Sequence, residues 1–149
     1  MKNNTNLNYS KEEVKTLYAL RLATLKFGIH VYLHYGNYGE ANVCIAKKDS
    51  IWKVFECERG RAFDISVYPG CLDACNEVLY RLAPSKSTHI KLLVIFNRLL
   101  KFDFTVEELA DFKTYFLNGK EKLTKEEYAE HRKNLERLSK RAEEILKQV

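Results

Sequence analysis

The fold of this chain is most constrained by residues 52–82, whose sequence is WKVFECERGRAFDISVYPGCLDACNEVLYRL. Apolar and polar side chains alternate over Ile51–Glu58 and again over 62–68, and a period of two predicts two β-strands. The loop 59–61 (Arg-Gly-Arg) is short enough to join them as an antiparallel hairpin with a three-residue loop. Residues 72–82 then place apolar side chains at helical spacing, so a helix is expected directly after the hairpin.

A group of carboxylates surrounds this predicted turn. In a hairpin with that loop, Glu56 lies beside Asp64, and Glu58 lies next to them. Carboxylates that face each other repel, so they need solvent, a neighbouring cation or a cationic binding partner. Three interpretations stay open at this point: a solvated face, neutralisation by Arg59 or Arg61, and an anionic recognition surface.

The same register predicts which side of the hairpin is apolar. Cys57 then faces Phe63, and Phe55 faces Ile65, which gives one coherent apolar side. Trp52 lies on the other side with the carboxylates. There it is expected to be an aromatic residue at the rim of an exposed, acidic sheet face.

Signals before the hairpin complete the predicted sheet. Ser10 and Glu13 form an S-x-x-E capping box that begins a helix. Alternation over 29–35 and again near residue 44 predicts two further strands. Residues 10–83 therefore read as α-β-β-β-β-α. This is an α+β fold with a four-stranded antiparallel meander sheet flanked by helices.

The remainder of the chain, residues 85–149, is predicted to be a helical extension within a single domain, 1–149. Residues 90–102 are apolar on nearly every side, which predicts a helix buried between other elements. Two more capping boxes, T-x-x-E at 105–108 and 124–127, begin two later helices. The apolar stripe of the last helix is either a dimerisation seam or a face packed on its own domain, and its short length favours the second.

Charge and composition restrict the classes of function. The 149 residues carry a formal net charge of +5 without a basic run or a nucleic-acid-binding motif, so no nucleic-acid partner is expected. No apolar stretch approaches the roughly 18 residues of a transmembrane helix, and the N-terminal residues are polar and lack a leader segment. We therefore expect a cytoplasmic protein without a membrane partner. Its 4 cysteines are expected to be reduced and buried: Cys44, Cys57, Cys71 and Cys75.

Catalysis is not expected from the motifs that are present. The sequence contains no phosphate-binding loop, nucleophile elbow, H-E-x-x-H helix or dinucleotide fingerprint. His30 and His34 share a strand face but lie roughly 13 Å apart, too far to bind one metal ion. We expect no metal and no cofactor. Two alternatives to a binding protein remain: a small divalent-metal-dependent enzyme that uses the carboxylates, and a helical adaptor or homodimer built on the last helix.

Residues 52–82 resemble small bacterial immunity proteins of polymorphic-toxin and contact-dependent growth inhibition systems. Many of those proteins carry a strand of the form W-x-V-[FY]-x-x-E-R-G, followed by an aromatic residue and an amphipathic helix with an A-C pair. The matching residues here are Trp52, Val54, Phe55, Glu58, Arg59, Gly60 and Phe63, then Ala74, Cys75 and Leu79. The resemblance covers residues 10–83, and the helical segment 85–149 departs from the compact pattern.

The resemblance implies a cytosolic protein, without catalysis of its own, that binds a cognate toxin domain and blocks its active site or an exosite. The expected partner-binding residues are Tyr32, His34, Trp52, Glu56, Glu58, Arg59 and Asp64, with Gly60 as the structural residue of the turn. Inhibitors of nucleases are often acidic, whereas this chain has a net charge of +5. An acidic toxin-binding surface would therefore be local.

Overall fold

The structure is a computed structural model that describes residues 9–29, 43–117 and 124–149, together with the backbone of 32–34. The helices are α1 (Lys11–Lys26), α2 (Cys71–Leu82), α3 (Lys86–Leu100), α4 (Val106–Phe112), which continues as a π-helical turn (Lys113–Leu117), and α5 (Lys125–Leu146). The strands are β1 (Tyr32–His34), β2 (Val43–Lys48), β3 (Ile51–Glu58) and β4 (Arg61–Tyr68). The predicted α+β class is confirmed.

The helix starts follow from the local sequence. The Ser10 hydroxyl accepts the backbone N–H of Glu13 at 3.1 Å, and the Glu13 carboxylate accepts the backbone N–H of Ser10 at 2.8 Å. The same reciprocal pattern begins α4 at Thr105 and α5 at Thr124. All three predicted capping boxes are confirmed, since the motif depends only on residues close in sequence. In the sequence, Gly119 predicts the end of the helix that begins after Thr105, and this residue lies outside the described part of the chain.

The four strands form one sheet in the order β1-β2-β3-β4. β2, β3 and β4 are antiparallel, whereas β1 runs parallel to β2, with Tyr32 opposite Cys44. The predicted four-stranded antiparallel meander is therefore wrong, because only three strands are antiparallel. A parallel pair needs more than the short turn predicted between these strands. The connection itself, residues 35–42, lies outside the described part of the chain.

The hairpin between β3 and β4 closes with a two-residue turn, so the predicted three-residue loop is wrong. Arg59 (φ 54°) and Gly60 (φ 76°) both have positive φ, and Glu58 pairs with Arg61. This is the pattern of a type I′ turn. The twist of such a turn matches the twist of the flanking strands, which favours it over a longer loop.

The shorter turn changes the register of the hairpin. Glu56 lies opposite Phe63, so the predicted cross-strand pair of Glu56 with Asp64 is wrong. Cys57 likewise lies opposite Ala62 rather than Phe63. A loop shortened by one residue shifts each partner by one position, which is why a single wrong turn alters every predicted pair.

A β-bulge changes the register again further along β4. Asp64 has a φ of 55°, in the left-handed region, and the pairing shifts between Glu56 and Val54 so that Val54 lies opposite Ser66. Aspartate enters this region more readily than most residues because its short side chain can form local hydrogen bonds. The bulge places one more residue on β4 than on the facing part of β3.

The main core lies between the helices and one face of the sheet. Trp52 (2% exposed) and Val54 (0%) belong to it. The expectation that Trp52 lies on an exposed sheet face is therefore wrong. The opposite face of the sheet holds a second, smaller buried cluster of Cys44, Phe55 and Cys57. Because β3 is apolar on both faces, alternation alone did not determine which face meets the helices.

The helix α3 is only partly enclosed. Leu92, Phe96 and Leu99 are buried, but Ile90 and Val94 are 54% and 44% exposed. The expectation of a helix buried on nearly all sides is therefore wrong. Apolar side chains on the solvent face of a helix are common in small proteins, and they obscure the amphipathic pattern from which burial was predicted.

The apolar stripe of α5 packs on its own domain. Leu138, Ala142 and Ile145 are buried members of the main core. The interpretation of this stripe as an internal packing face is confirmed, and a homodimer through α5 stays a prediction. All four cysteines are buried, as expected. None of the helices in the described ranges has both the length and the apolar character needed to cross a membrane.

Candidate functional site

Arg81, near the end of α2, gathers side chains from β3, β4 and its own helix. Its Nε donates a hydrogen bond to Glu77 Oε2 at 2.8 Å, and its Nη2 donates to Ser66 Oγ at 3.0 Å. Its Nη1 lies 4.0 Å from Glu56 Oε2 and 3.8 Å from Asp64 Oδ2. We call these residues, Glu56, Asp64, Ser66, Glu77 and Arg81, the Arg81 cluster.

The bulge in β4 explains how two carboxylates from different strands reach one guanidinium. Glu56 and Asp64 are not cross-strand partners, because Glu56 lies opposite Phe63. The left-handed conformation of Asp64 inserts an extra residue, and this directs its carboxylate to the side of the sheet on which Arg81 lies. The predicted neighbourhood of Glu56 and Asp64 is thus present, but it forms by a different route from the one that the sequence suggests.

The Arg81 cluster is acidic. Three carboxylates surround one guanidinium, which leaves a formal charge of −2. The side chain of Arg81 is only 9% exposed, whereas those of Glu56 and Asp64 are 38% and 67% exposed. Nη1 of Arg81 is buried and makes no hydrogen bond among the described residues. The guanidinium is therefore buried and holds the carboxylates around it, whereas the carboxylates of Glu56 and Asp64 are exposed to solvent.

A cavity of about 640 Å³ adjoins the cluster. It lies where α2 ends and α3 begins, and its lining includes Glu56, Tyr80, Arg81, Lys86 and His89. The rings of Tyr80 and His89 meet edge to face, with centroids 5.5 Å apart, and Tyr80 is 66% exposed. A carboxylate beside an aromatic ring is suited to a cationic side chain, which can pair with the one and lie over the other.

β4 also carries exposed apolar side chains: Phe63, paired with Glu56, lies on the side of the Arg81 cluster, whereas Ile65 and Val67 alternate with Ser66 and lie on the opposite face of the sheet. Phe63, Ile65 and Val67 are 44%, 51% and 56% exposed. Within the described part of the sheet β4 pairs only with β3, so it is an edge strand. Edge strands expose unpaired backbone groups, and apolar side chains beside them favour protein contacts.

The expected partner-binding residues lie in different environments. Glu56 and Asp64 lie in the Arg81 cluster, and Glu58 and Arg59 are exposed at the end of the hairpin, where Gly60 permits the turn. Trp52 is in the core, with its ring centroid 6.2 Å from that of Tyr9. The side chains of Tyr32 and His34 lie outside what the structure describes.

Sequence reasoning missed Arg81 and Tyr80. A signal for Arg81 was present, since Glu77 and Arg81 are four residues apart on one helix and such pairs form ion pairs. Their position over the sheet depends on how α2 crosses β3 and β4, which no local pattern records. Of the two arginines considered as neutralising groups, Arg59 lies in the turn and Arg61 pairs with Glu58 across the hairpin.

Two observations concern metal binding and thiol reactivity. No group of three or more His, Cys, Asp or Glu side chains within residues 9–29, 43–117 and 124–149 is arranged to hold a metal ion. Cys71 and Cys75 lie with their sulfur atoms 4.0 Å apart in the core. Burial, together with the neighbouring thiol, holds the pKa of Cys75 well above its usual range, which disfavours a reactive thiolate.

Comparisons with models of protein families, with curated proteins and with solved structures find no match to this chain. The resemblance to immunity proteins therefore stands on the residues quoted from the sequence. The function of the site has to be argued from its charge, its exposed side chains and its shape.

Proposed function

We propose that this chain is an immunity protein: it binds a cognate bacterial toxin domain and neutralises it by occluding the toxin's active site or a neighbouring exosite. The observation that carries the proposal is the Arg81 cluster, an acidic surface on a chain with a net charge of +5. The resemblance of residues 52–82 to immunity proteins supports the same function. In this proposal the chain acts in the cytoplasm by binding alone, without catalysis or a cofactor.

The charge of the Arg81 cluster favours a basic surface on the toxin. Glu56 and Asp64 are partly exposed and lie beyond hydrogen-bonding distance of Arg81, so their oxygens can accept bonds from a lysine or arginine of the partner. Glu58, exposed at the end of the same hairpin, extends the negative surface. Complementary charges of this kind speed association and penalise wrong partners, and both effects weaken as salt rises.

Apolar contacts beside the cluster supply the rest of a binding surface. Protein interfaces combine a desolvated core, often with aromatic anchors, and a polar rim. Tyr80 is an exposed aromatic residue that lines the same cavity as Glu56. Phe63, which pairs with Glu56 across the hairpin, is 44% exposed and extends the apolar area. We expect Tyr80 to be a central contact and the carboxylates to surround it.

The test is binding to the product of the gene adjacent to that of this chain, which a toxin–immunity pair requires. Co-purification should yield a stoichiometric complex whose affinity falls with salt. The variant Glu56→Gln/Asp64→Asn removes charge but keeps shape, and asparagine tolerates the left-handed conformation at residue 64. We expect it, and separately Glu58→Lys, to weaken binding about tenfold or more.

Matched controls lie on α5, where Glu136 and Glu143 are exposed and outside the proposed surface. Glu136→Gln/Glu143→Gln changes the net charge as much as the first variant does and should leave the affinity within about twofold. Equal losses in both double variants would show that only overall charge matters, and would remove the binding face proposed here. If the neighbouring product neither binds nor inhibits growth when expressed alone, the immunity function is wrong.

A further inference from the structure

A second cavity, of about 530 Å³, lies between α2 and α3 and shares Tyr80 and His89 with the cavity beside the Arg81 cluster. α3 also contributes Leu93, and β4 contributes its last residue, Tyr68. The other lining residues come from one face of α2, because positions three, four and seven apart share a face of a helix: Asp73, Asn76, Glu77 and Tyr80. The cavity therefore extends the candidate site along α2.

The lining of this cavity is acidic. Asp73 and Glu77 bring two carboxylates, and none of the lining side chains in the described part of the chain is a lysine or an arginine. Glu77 is already paired, since its Oε2 lies 2.8 Å from Nε of Arg81. Asp73 is exposed, and its side chain makes no hydrogen bond or ion pair with the residues that the structure describes. The uncompensated charge of the cavity is therefore that of Asp73, and it favours a cation.

Aromatic side chains form a large part of the wall. The ring of Tyr80 meets that of His89 edge to face, with centroids 5.5 Å apart, and Tyr80 remains 66% exposed. Tyr68 adds a second phenol ring to the lining. The face of an aromatic ring attracts a cation, and arginine makes this contact more often than lysine. Leu93 adds an apolar surface on which the methylene groups of a long side chain can pack.

We infer that this cavity seats an arginine side chain of the toxin, with its guanidinium between Asp73 and the ring of Tyr80 and its methylene groups against Leu93. The inference rests on the immunity function proposed above. A guanidinium suits these walls better than an ammonium, because it is planar, stacks on aromatic rings and is more weakly hydrated. Its several N–H groups can also donate to the Asp73 carboxylate and the Asn76 amide oxygen together. The volume lies within the range of ligand pockets, roughly 300–1,000 Å³.

Blocked amino acids test the chemistry of the cavity without the toxin. Nα-acetylarginine amide carries the guanidinium, Nα-acetyllysine amide replaces it with an ammonium, and Nα-acetylcitrulline amide keeps the planar shape without the charge. The arginine probe should shift the NMR signals of the Tyr80 and His89 rings saturably, with a Kd on the order of 1 mM. The lysine probe should bind at least about threefold more weakly, and the citrulline probe not measurably. No saturable shift up to about 30 mM arginine probe, or equal affinity for either of the other probes, would overturn the inference.

Variants locate the binding within the cavity. Asp73→Asn removes the free charge and Tyr80→Leu removes the ring, and each should weaken the arginine probe about fivefold or more. Both residues are exposed, so the folded state should be retained, which thermal unfolding checks. Asp103→Asn is the matched control: it makes the same chemical change at an exposed residue outside the lining and should leave the affinity within about twofold. Equal losses in Asp73→Asn and Asp103→Asn would contradict the site.

Tyr80→Phe separates the ring from its hydroxyl. Because the ring face is assigned to the guanidinium, this variant should keep the affinity for the arginine probe within about twofold of the parent. A loss as large as that of Tyr80→Leu would assign the contact to the hydroxyl and contradict the seat proposed for the guanidinium.

Toxin binding distinguishes this inference from the function on which it rests. If the neighbouring gene product binds, Asp73→Asn should weaken the complex about tenfold, whereas Asp103→Asn should not. A toxin affinity that Asp73→Asn leaves unchanged would overturn the inference while the immunity function stands. If the gene product does not bind but the arginine probe does, the immunity function is wrong, and the cavity belongs to a free guanidinium compound instead of a toxin side chain.

Discussion

Arg81 is nearly buried and holds the acidic side chains of the candidate site in place. Its two hydrogen bonds, to Glu77 and Ser66, fix the guanidinium between β4 and α2. Arg81→Met would leave the carboxylates of Glu56, Asp64 and Glu77 facing one another without a cation. We expect the free energy of unfolding to fall by about 1–3 kcal/mol, as measured by denaturant titration.

Arg81→Lys should recover part of this loss, since an ammonium keeps the charge but cannot make the same two directed bonds. Arg137→Met is the matched control. Arg137 also donates to a carboxylate, Asp111, at 2.8 Å, but it is 63% exposed, and exposed pairs contribute little. If Arg81→Met and Arg137→Met lowered the free energy of unfolding by the same small amount, Arg81 would not be the residue that holds the acidic side chains in place.

Glu13 gives a pH-dependent contribution to stability. Burial raises its pKa, but hydrogen bonds from Lys47 at 2.8 Å and from the backbone of Ser10 outweigh this, so the pKa of Glu13 is lowered. A carboxyl whose pKa is lower in the folded than in the unfolded state stabilises the fold above the unfolded value, about 4.3. The contribution is lost as pH falls through the folded value.

Glu13→Gln should therefore be less stable than the parent near pH 7, and the difference should shrink as pH falls below about 5. Glutamine can keep the capping box, so the change isolates the charge. Denaturant midpoints at a series of pH values test this. A difference independent of pH would assign the effect to the cap instead of to the ion pair with Lys47.

At the residue scale, the sequence predicted that Glu56 and Asp64 lie close together, but not the contacts with Arg81 or the bulge that bring them there. Glu56 and Asp64 are close together because of a bulge, whereas the prediction used a direct cross-strand pair. A bulge depends on one residue entering the left-handed region, and aspartate does so only in some contexts. Trp52 was assigned to the wrong environment because the facing direction of a strand is set by helices distant in sequence.

The hairpin is the element whose geometry decides the position of the acidic side chains. Gly60 has a φ of 76°, and a methyl group there would meet no atom within 4 Å, so its replacement carries only a conformational cost. Gly60→Ala should therefore lower the free energy of unfolding by about 1–2 kcal/mol.

Gly70→Ser is the control for this prediction. Gly70 is the N-cap of α2 and has extended backbone, with no side-chain cap and open space around it among the described residues. Serine should add a cap and stabilise by a few tenths of a kcal/mol. Thermal and denaturant unfolding compare the two variants. A Gly60→Ala protein as stable as the parent would rule out the type I′ turn.

Elements that depend on nearby residues were predictable, and those that depend on distant ones were not. The starts of α1, α4 and α5 follow from capping boxes. The parallel pairing of β1 with β2 has no local signature, because a strand's sequence does not state the direction of its neighbour. The exposure of Ile90 and Val94 on α3 likewise depends on which helices pack nearby.

The two parts of the chain recognised in the sequence, 10–83 and 85–149, contribute to the same core. Leu17 and Leu20 of α1 are buried in one cluster with Leu92 of α3 and Ile145 of α5. Neither part therefore encloses its apolar side chains alone. The helical extension, which departs from the compact immunity-protein pattern, completes the core of the sheet-containing part.

A shared core predicts a single cooperative unfolding transition, and the chain contains a natural pair of probes. Trp52 is the single tryptophan of the sequence and is 2% exposed, so its fluorescence reports on the sheet. Far-ultraviolet circular dichroism reports mainly on the helices. The two denaturation curves should coincide. Leu92→Ala, a change in the extension, should lower stability by about 2–5 kcal/mol and shift both curves equally. If Leu92→Ala left the fluorescence transition in place while the dichroism shifted, the extension would unfold as a separate unit.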